Sequence, residues 1–180
     1  MKRVLMLFSS PYNHPRGYDY KEEFADPDDM YTEKDVYKAL LTNNYKVTLL
    51  GIHNSLNPLF DEIAENPPDV IFNLVEVFNN NSIYEKNIAA LLEMIDIPFT
   101  GASADNIFLC NNKGLNKKIL SFHKIKVPRF YIFQRNHKVW LPKKIRLPAI
   151  IKPLCEEASR GISQASIVDN EAAFIDRVKF

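Results

Sequence analysis

Cysteine is scarce in this chain of 180 residues. There are two, Cys110 and Cys155, and they form neither a C-x-x-C pair nor a metal-ligand spacing. A disulfide framework and a cysteine-built metal site are excluded on that ground. An excess of either charge is also missing. Lys and Arg number 23 against 22 Asp and Glu, for a formal net charge of +1. No run of Lys and Arg is long enough to make a basic face, so nucleic acid is not an expected partner. No apolar run approaches the roughly 18–20 residues of a membrane span. Met1-Lys2-Arg3 followed by Val4 to Phe8 begins as a signal peptide would. The apolar run is too short, however, lacks a small-residue cleavage site and gives way at Ser9. These absences point to a reducing, cytoplasmic protein without a membrane partner. No G-x-G-x-x-G follows the first apolar run, which argues against a dehydrogenase's dinucleotide domain. There is no internal repeat and no low-complexity segment.

What is present is ordinary for a globular protein: 46% apolar and 25% charged residues. The length suffices for one good core or two small domains. Val4 to Phe8 is a continuous apolar run, the pattern of a strand buried on both faces in a parallel sheet. Residues 11–31, rich in Pro, Asp and Tyr, read as a long loop. A helix is expected from Thr32 to Asn43-Asn44, with Val36, Leu40 and Leu41 on one face. Lys46 to Ile52 reads as a second strand. Leu56 to Glu65 reads as a short helix with Phe60 and Ile63 inward, stopped by Pro67-Pro68. Asp69 to Val75 reads as a third strand. Ser82-Ile83-Tyr84-Glu85 has the S-x-x-E capping-box pattern. The helix after it should face Tyr84, Ile88, Leu91, Leu92 and Ile95 inward, and Asp96 to Phe99 leads to a fourth short strand. Alternation of this kind predicts an α/β domain, Rossmann-like, with a parallel sheet, at residues 1–101.

From Ala102 the texture changes. Helices are expected near Ser103–Asn111 and Lys113–Lys124, the second facing Leu115, Ile119 and Phe122 inward. Three short β segments follow at Arg129–Phe133, Leu147–Lys152 and Gly161–Val168. A last helix from Asp169-Asn170 carries Phe174 and Val178 inward. Two helices against a small antiparallel sheet make an α+β domain at residues 102–180. The four histidines are scattered, and none is assigned to catalysis. Trp140 reads as a packing residue.

One stretch carries chemistry. Ala149-Ile150-Ile151-Lys152-Pro153 is an apolar segment ending in a lysine, and Leu154 to Ser163 is a polar loop of small residues. Taken locally it is a hairpin with one snorkelling lysine. With "LPAIIKPLCEEASRGIS" stands a second motif, "DVIFNLVEVF...IAALLEMIDIPFTGASADNIFLCNNKGLNKKIL". Together they resemble the N-terminal half of D-alanine–D-alanine ligase-like proteins of the ATP-grasp superfamily, over nearly the whole chain from Asp69 onward.

That resemblance implies a Rossmann-like domain followed by the small α+β central domain of an ATP-grasp fold. It implies a ligase that joins a carboxylate to an amine through an acyl phosphate. It implies ATP and Mg2+ as cofactors and a small-molecule amino acid as substrate. Lys152 matches the lysine on the ATP phosphates and Lys113 a second ATP-contacting lysine. Ser159 and Gly161 match small positions of the phosphate-covering loop, where the backbone must approach an anion. Lys152 and Ser159 are thus the implied catalytic pair, and Lys113, Lys152, Ser159 and Gly161 the implied ATP contacts.

The chain also departs from the pattern. Glu157 and Ala158 stand where a glycine and a serine are usual, so positioning of the first amino acid is in question. Glu76-Val77-Phe78 replaces a histidine-glycine loop. Glu76, at the carboxyl end of a parallel strand, is a candidate amine binder, with a solvated loop acid as the plain alternative. The glutamate-bearing loop after the first strand is replaced by residues 11–31; Glu22, Glu23 and Glu33 are candidate substitutes that spacing does not separate. The family pattern continues past Phe180 with an adenine hinge and a C-terminal ATP-grasp domain carrying the metal ligands. The expectation is therefore a truncated chain, weak in ATP binding, inactive alone, and open to dimerisation through an exposed edge. The alternative is a non-catalytic nucleotide-binding or regulatory module that kept the fold.

Overall fold

The structure, a computed structural model, describes residues 1–25, 30–156 and 159–180. It contains two compact units, Met1–Ile107 and Phe108–Phe180.

The first unit runs β1 (Arg3–Ser9), α1 (Lys21–Ala25), α2 (Tyr31–Thr42), β2 (Lys46–Ile52), α3 (Asn57–Glu65), β3 (Val70–Leu74) and α4 (Glu85–Ile95). The three strands are parallel in the order β2-β1-β3. Leu5 stands opposite Thr48 on one side and Ile71 on the other. As the middle strand, β1 must bury both faces, and Val4 to Phe8 are all buried. Successive side chains leave a strand on opposite sides. Leu5 and Leu7 therefore join Leu59 of α3 and Ile88 and Leu92 of α4. Met6 and Phe8 join Tyr20, Phe24 and the α2 residues Val36, Tyr37 and Leu40.

Several expectations need correction. The loop over 11–31 contains a short helix, α1, and its residues 26–29 lie outside the described residues. Phe60 is 45% exposed, not inward. Helix α3 presents Leu59 and Ile63 to the sheet, and the next position after Leu59 turns away. Leu41 and Tyr84 are also exposed. Ser82 is not the residue that caps the turn. Asn81, one residue earlier, takes the capping role by accepting from Ile83 N at 3.0 Å, and Ser82–Tyr84 is a single 3-10 turn before α4. The fourth strand reduces to one parallel bridge between Ile71 and Phe99.

Glu62 is buried on α3 because Arg16 reaches it from the loop after β1. Arg16 holds Glu65 bidentately, Nη1 to Oε1 at 2.6 Å and Nη2 to Oε2 at 2.7 Å, and Glu62 Oε2 at 3.3 Å. The hydrogen bond and charge of Arg16 hold the Glu65 carboxyl below its usual range. A carboxylate with a depressed pKa adds stability above its unfolded value and loses it as pH falls through the folded value. Thermal melts from about pH 6 to about pH 3 should therefore show a steeper loss of Tm for the wild type than for Glu65→Gln. Equal slopes would mean that the pair adds nothing.

The second unit contains α6 (Lys113–Phe122), β4 (Ala149–Ile150), β5 (Ile167–Val168) and α7 (Glu171–Lys179); α5 (Ala104–Asn111) spans the boundary. Strands β4 and β5 pair antiparallel, Ala149 with Val168 and Ile150 with Ile167. Asn112 caps α6 by accepting from Leu115 N, and Asn170 caps α7 by accepting from Ala173 N, each at 2.9 Å. Either cap satisfies a donor that the first helical turn would leave open. The β segment expected at 129–133 is not a strand. Tyr131 and Phe133 instead pack with Trp140 at 5.4 and 5.6 Å, and Phe133 meets the buried Phe174 at 5.8 Å. Phe122 is 82% exposed and Ile119 is also exposed, so α6 buries Leu115 only in part.

Candidate functional site

The sequence motif places Lys152 two residues beyond β4, where its side chain is exposed. No hydrogen bond or ion pair engages its ammonium among the described residues. Lys113 opens α6, and its backbone N–H donates to Leu154 O at 3.2 Å. The half-buried Lys113 side chain donates to the Glu156 carbonyl. The start of α6 therefore lies against the loop that leaves Lys152, and residues remote in sequence meet there.

The far end of that loop is tightly turned. Ser159 has φ 61° and Gly161 has φ 69°, and Ser159 O accepts from Ile162 N at 3.0 Å. A Cβ on Gly161 would stand 2.8 Å from Pro153 Cγ. Glycine is thus required there twice, by its left-handed backbone and by its contact with the residue next to Lys152. Ser159 holds its left-handed conformation with a side chain present and is exposed. Glu157 and Ala158, the departures from the family pattern within this loop, lie outside the described residues.

In the first unit, the carboxyl ends of β1 and β3 adjoin, and the connections that leave these two strands pass to opposite faces of the sheet, the usual place for a ligand crevice in an open α/β sheet. Ser9, the last residue of β1, organises it. Its Oγ accepts from Glu76 N at 3.0 Å and Val77 N at 2.9 Å, and donates to Val77 O at 2.8 Å. His53 Nδ1 lies 3.0 Å from Ser10 O, which only a protonated Nδ1 can satisfy, and His53 O accepts from Asn79 N at 2.7 Å. The Glu76 side chain is exposed at this rim.

The loop after β1 stacks His14 on Tyr18 at 4.0 Å, with His14 Nε2 3.7 Å from Glu23 Oε1. A hydrogen bond from the Tyr18 hydroxyl to Glu23 raises the Tyr18 pKa. The other oxygen of Glu23 is buried with no hydrogen-bond partner among the described residues. Sequence reasoning left Glu22, Glu23 and Glu33 undivided. It passed over Ser9, for which a serine closing the first apolar strand was the one visible signal.

A cavity of about 450 Å³ lies by the amino ends of β1 and β2, lined among others by Arg3, Arg16, Lys46 and Glu62. Another, of about 440 Å³, lies in the second unit beside Asn112, Lys118, Phe133, Arg135 and Leu154. Neither is lined by Lys152, Ser159, Gly161 or Glu76. Among the described residues, no group of three or more His, Cys, Asp or Glu is placed to hold a metal. Nor is any helix among them long and apolar enough to cross a membrane.

The chain is similar to a D-alanine–D-alanine ligase of Pelagibacter ubique, 31% identical over 71% of this chain and 42% of that protein. A D-alanine–D-alanine ligase of Prochlorococcus marinus is 27% identical over 97% of this chain and 51% of its own length. An alpha-aminoadipate–LysW ligase of Sulfolobus acidocaldarius is 39% identical over 39% of this chain and 25% of its own length. The chain spans about half, or less, of the length of these relatives. No protein-family model matches it, and no solved structure does. An α/β unit with a parallel three-stranded sheet and this set of relatives define a relative of ligases. More narrowly, it is a D-alanine–D-alanine ligase-like relative of the ATP-grasp superfamily.

Proposed function

We propose that the chain is part of an ATP-dependent carboxylate–amine ligase and that its second unit carries one wall of the ATP site. The observation that carries this reading is the meeting of Lys113 with the loop that follows Lys152. Two ammonium groups and a turn with left-handed backbone at Ser159 and Gly161 are a donor set that suits phosphate. Bound there, ATP would supply the phosphoryl group that activates a carboxylate. Lys152 and Lys113 would then hold the phosphates and offset the charge that develops as the group moves. Ser159 and Gly161 would bring the backbone close to them. Among the described residues, no group of three or more His, Cys, Asp or Glu is placed to hold the Mg2+ that the resemblance implies.

In the first unit, Glu76 stands at the rim of the strand-end crevice as the candidate carboxylate for the substrate's ammonium. Ser9 fixes its backbone. Of Glu22, Glu23 and Glu33, Glu23 on α1 is the second candidate, because one of its oxygens is buried with no hydrogen-bond partner among the described residues. The substrate class under this reading is an amino acid.

Nucleotide titration tests it. Lys152→Ala should weaken ATP binding by about 1.5–3 kcal/mol, the value of one charged hydrogen-bonding contact. That corresponds to roughly 10- to 150-fold in Kd. Unchanged affinity would remove Lys152 from the phosphate site.

A further inference from the structure

The loop after β4 is held at its exit by a residue that no motif singled out. Arg177, on α7, donates through Nη2 to Gly161 O at 2.7 Å and to Ser166 Oγ at 3.0 Å. The guanidinium also lies over the Phe180 ring, 4.7 Å from its centroid, which limits its rotation. Ser166 is fully buried at 0% exposure and uses every polar atom. Its Oγ accepts from Ser163 N at 3.0 Å, its N–H donates to Ser163 O at 2.9 Å, and its carbonyl accepts from Ile151 N at 2.8 Å. Ile151 immediately precedes Lys152. One guanidinium therefore acts on two things together. It fixes the Gly161 carbonyl at the loop exit, and through Ser166 it sets the register of the segment that presents Lys152. Gly161 in turn packs against Pro153, the residue after Lys152, so the two ends of the loop are locked together by contacts that Arg177 closes.

We propose that Arg177 is a positioning residue for phosphate binding, acting through Ser166 and Gly161 on Lys152. The inference rests on the proposed function, since it takes Lys152 as a phosphate ligand. A charged donor shared between a carbonyl and a buried hydroxyl makes strong, geometrically specific bonds. A neutral amide cannot reproduce them. A lysine keeps the charge and one of the two contacts.

The test is a double-mutant cycle on the full chain, read by ATP titration, with far-UV circular dichroism melts to select folded variants. Arg177→Gln should weaken ATP binding about tenfold, the value of one lost charge-assisted bond. Arg177→Lys should recover most of that loss. In the Lys152→Ala background, Arg177→Gln should cost less than about twofold, because the group it positions is gone. Ser166→Ala, which keeps Arg177 and its bond to Gly161, should give an intermediate loss with the same dependence on Lys152, and serves where Arg177→Gln does not fold.

The failures separate. If Lys152→Ala binds ATP as tightly as the wild type, the phosphate-site reading falls and the positioning role with it. If Lys152→Ala weakens binding while Arg177→Gln and Ser166→Ala leave it unchanged, or cost the same with and without Lys152, the positioning role alone is refuted.

Discussion

Phe8→Ala is expected to lower the stability of the chain by about 3–5 kcal/mol. Phe8 is fully buried in the middle strand. Its ring meets Tyr20 edge-on at 5.0 Å and Phe24 at 6.5 Å. Its neighbours on that face include residues of α1, α2, the flanking strands and the loop between β1 and α1. Removing the ring loses its transfer free energy and leaves a cavity that strands paired on both sides of β1 cannot close. Phe60→Ala is the control. At 45% exposure on α3, it should change stability by no more than about 0.5 kcal/mol. Urea unfolding followed by circular dichroism gives both values. Similar losses for the two variants would mean that the fold does not distinguish these phenylalanines, and the core described here would be wrong.

That pair shows what was legible in the sequence. A continuous run such as Val4 to Phe8 has few ways to be buried except between two strands, so β1 and the parallel class could be read from it. The same held for β2 and β3. Phe60 was misread because the helical face depends on phase. With Leu59 and Ile63 inward, the ring at the next position points to water, and the apolar content of the segment does not reveal the offset. The cap shows the same limit. Ser82 and Glu85 match a box by spacing, but the cap is Asn81, one residue earlier, which accepts from Ile83 N.

The candidate site divides along the same line. Lys152, Lys113, Ser159 and Gly161 were visible as motif positions. Their arrangement was not, since the bond from Lys113 N to Leu154 O joins residues that no local pattern relates. Arg177 and Ser166 were invisible for a different reason. A C-terminal arginine on a helix has a sufficient local explanation in the helix dipole, and a serine in a polar loop needs none. Only burial of Ser166 and the two bonds from one guanidinium assign them a task. Ser9 is the intermediate case. Its place at the end of the central strand was readable, but its bonds to the backbone at Glu76 and Val77 were not.

Gly51→Ala should cost about 2–4 kcal/mol, although it adds a single methyl group. Gly51 lies in β2 opposite Phe8. A Cβ there would stand 2.8 Å from Tyr20 Oη, 2.9 Å from Ser10 Cβ and 3.0 Å from Phe8 Cε2. Relief by shifting one flexible side chain is not available, because Phe8 and Tyr20 are themselves core residues. The Gly51 N–H also donates to Tyr20 Oη at 2.9 Å, so a shift of the phenol away from the methyl breaks a buried hydrogen bond. Overpacking and the lost bond therefore act together. The consequence reaches the candidate substrate side, since Tyr20 packs on His14 and Tyr18 of the loop that leads into α1 and Glu23. A cycle with Tyr20→Phe separates the parts. Without the hydroxyl, one of the three clashes and the bond are both gone, so Gly51→Ala should cost at least about 0.5 kcal/mol less in that background. The remaining contacts to Ser10 and Phe8 should still make it destabilising. Additive losses would show that the hydroxyl is not what excludes a side chain at Gly51, and the tie between β2 and the loop after β1 would have to lie elsewhere.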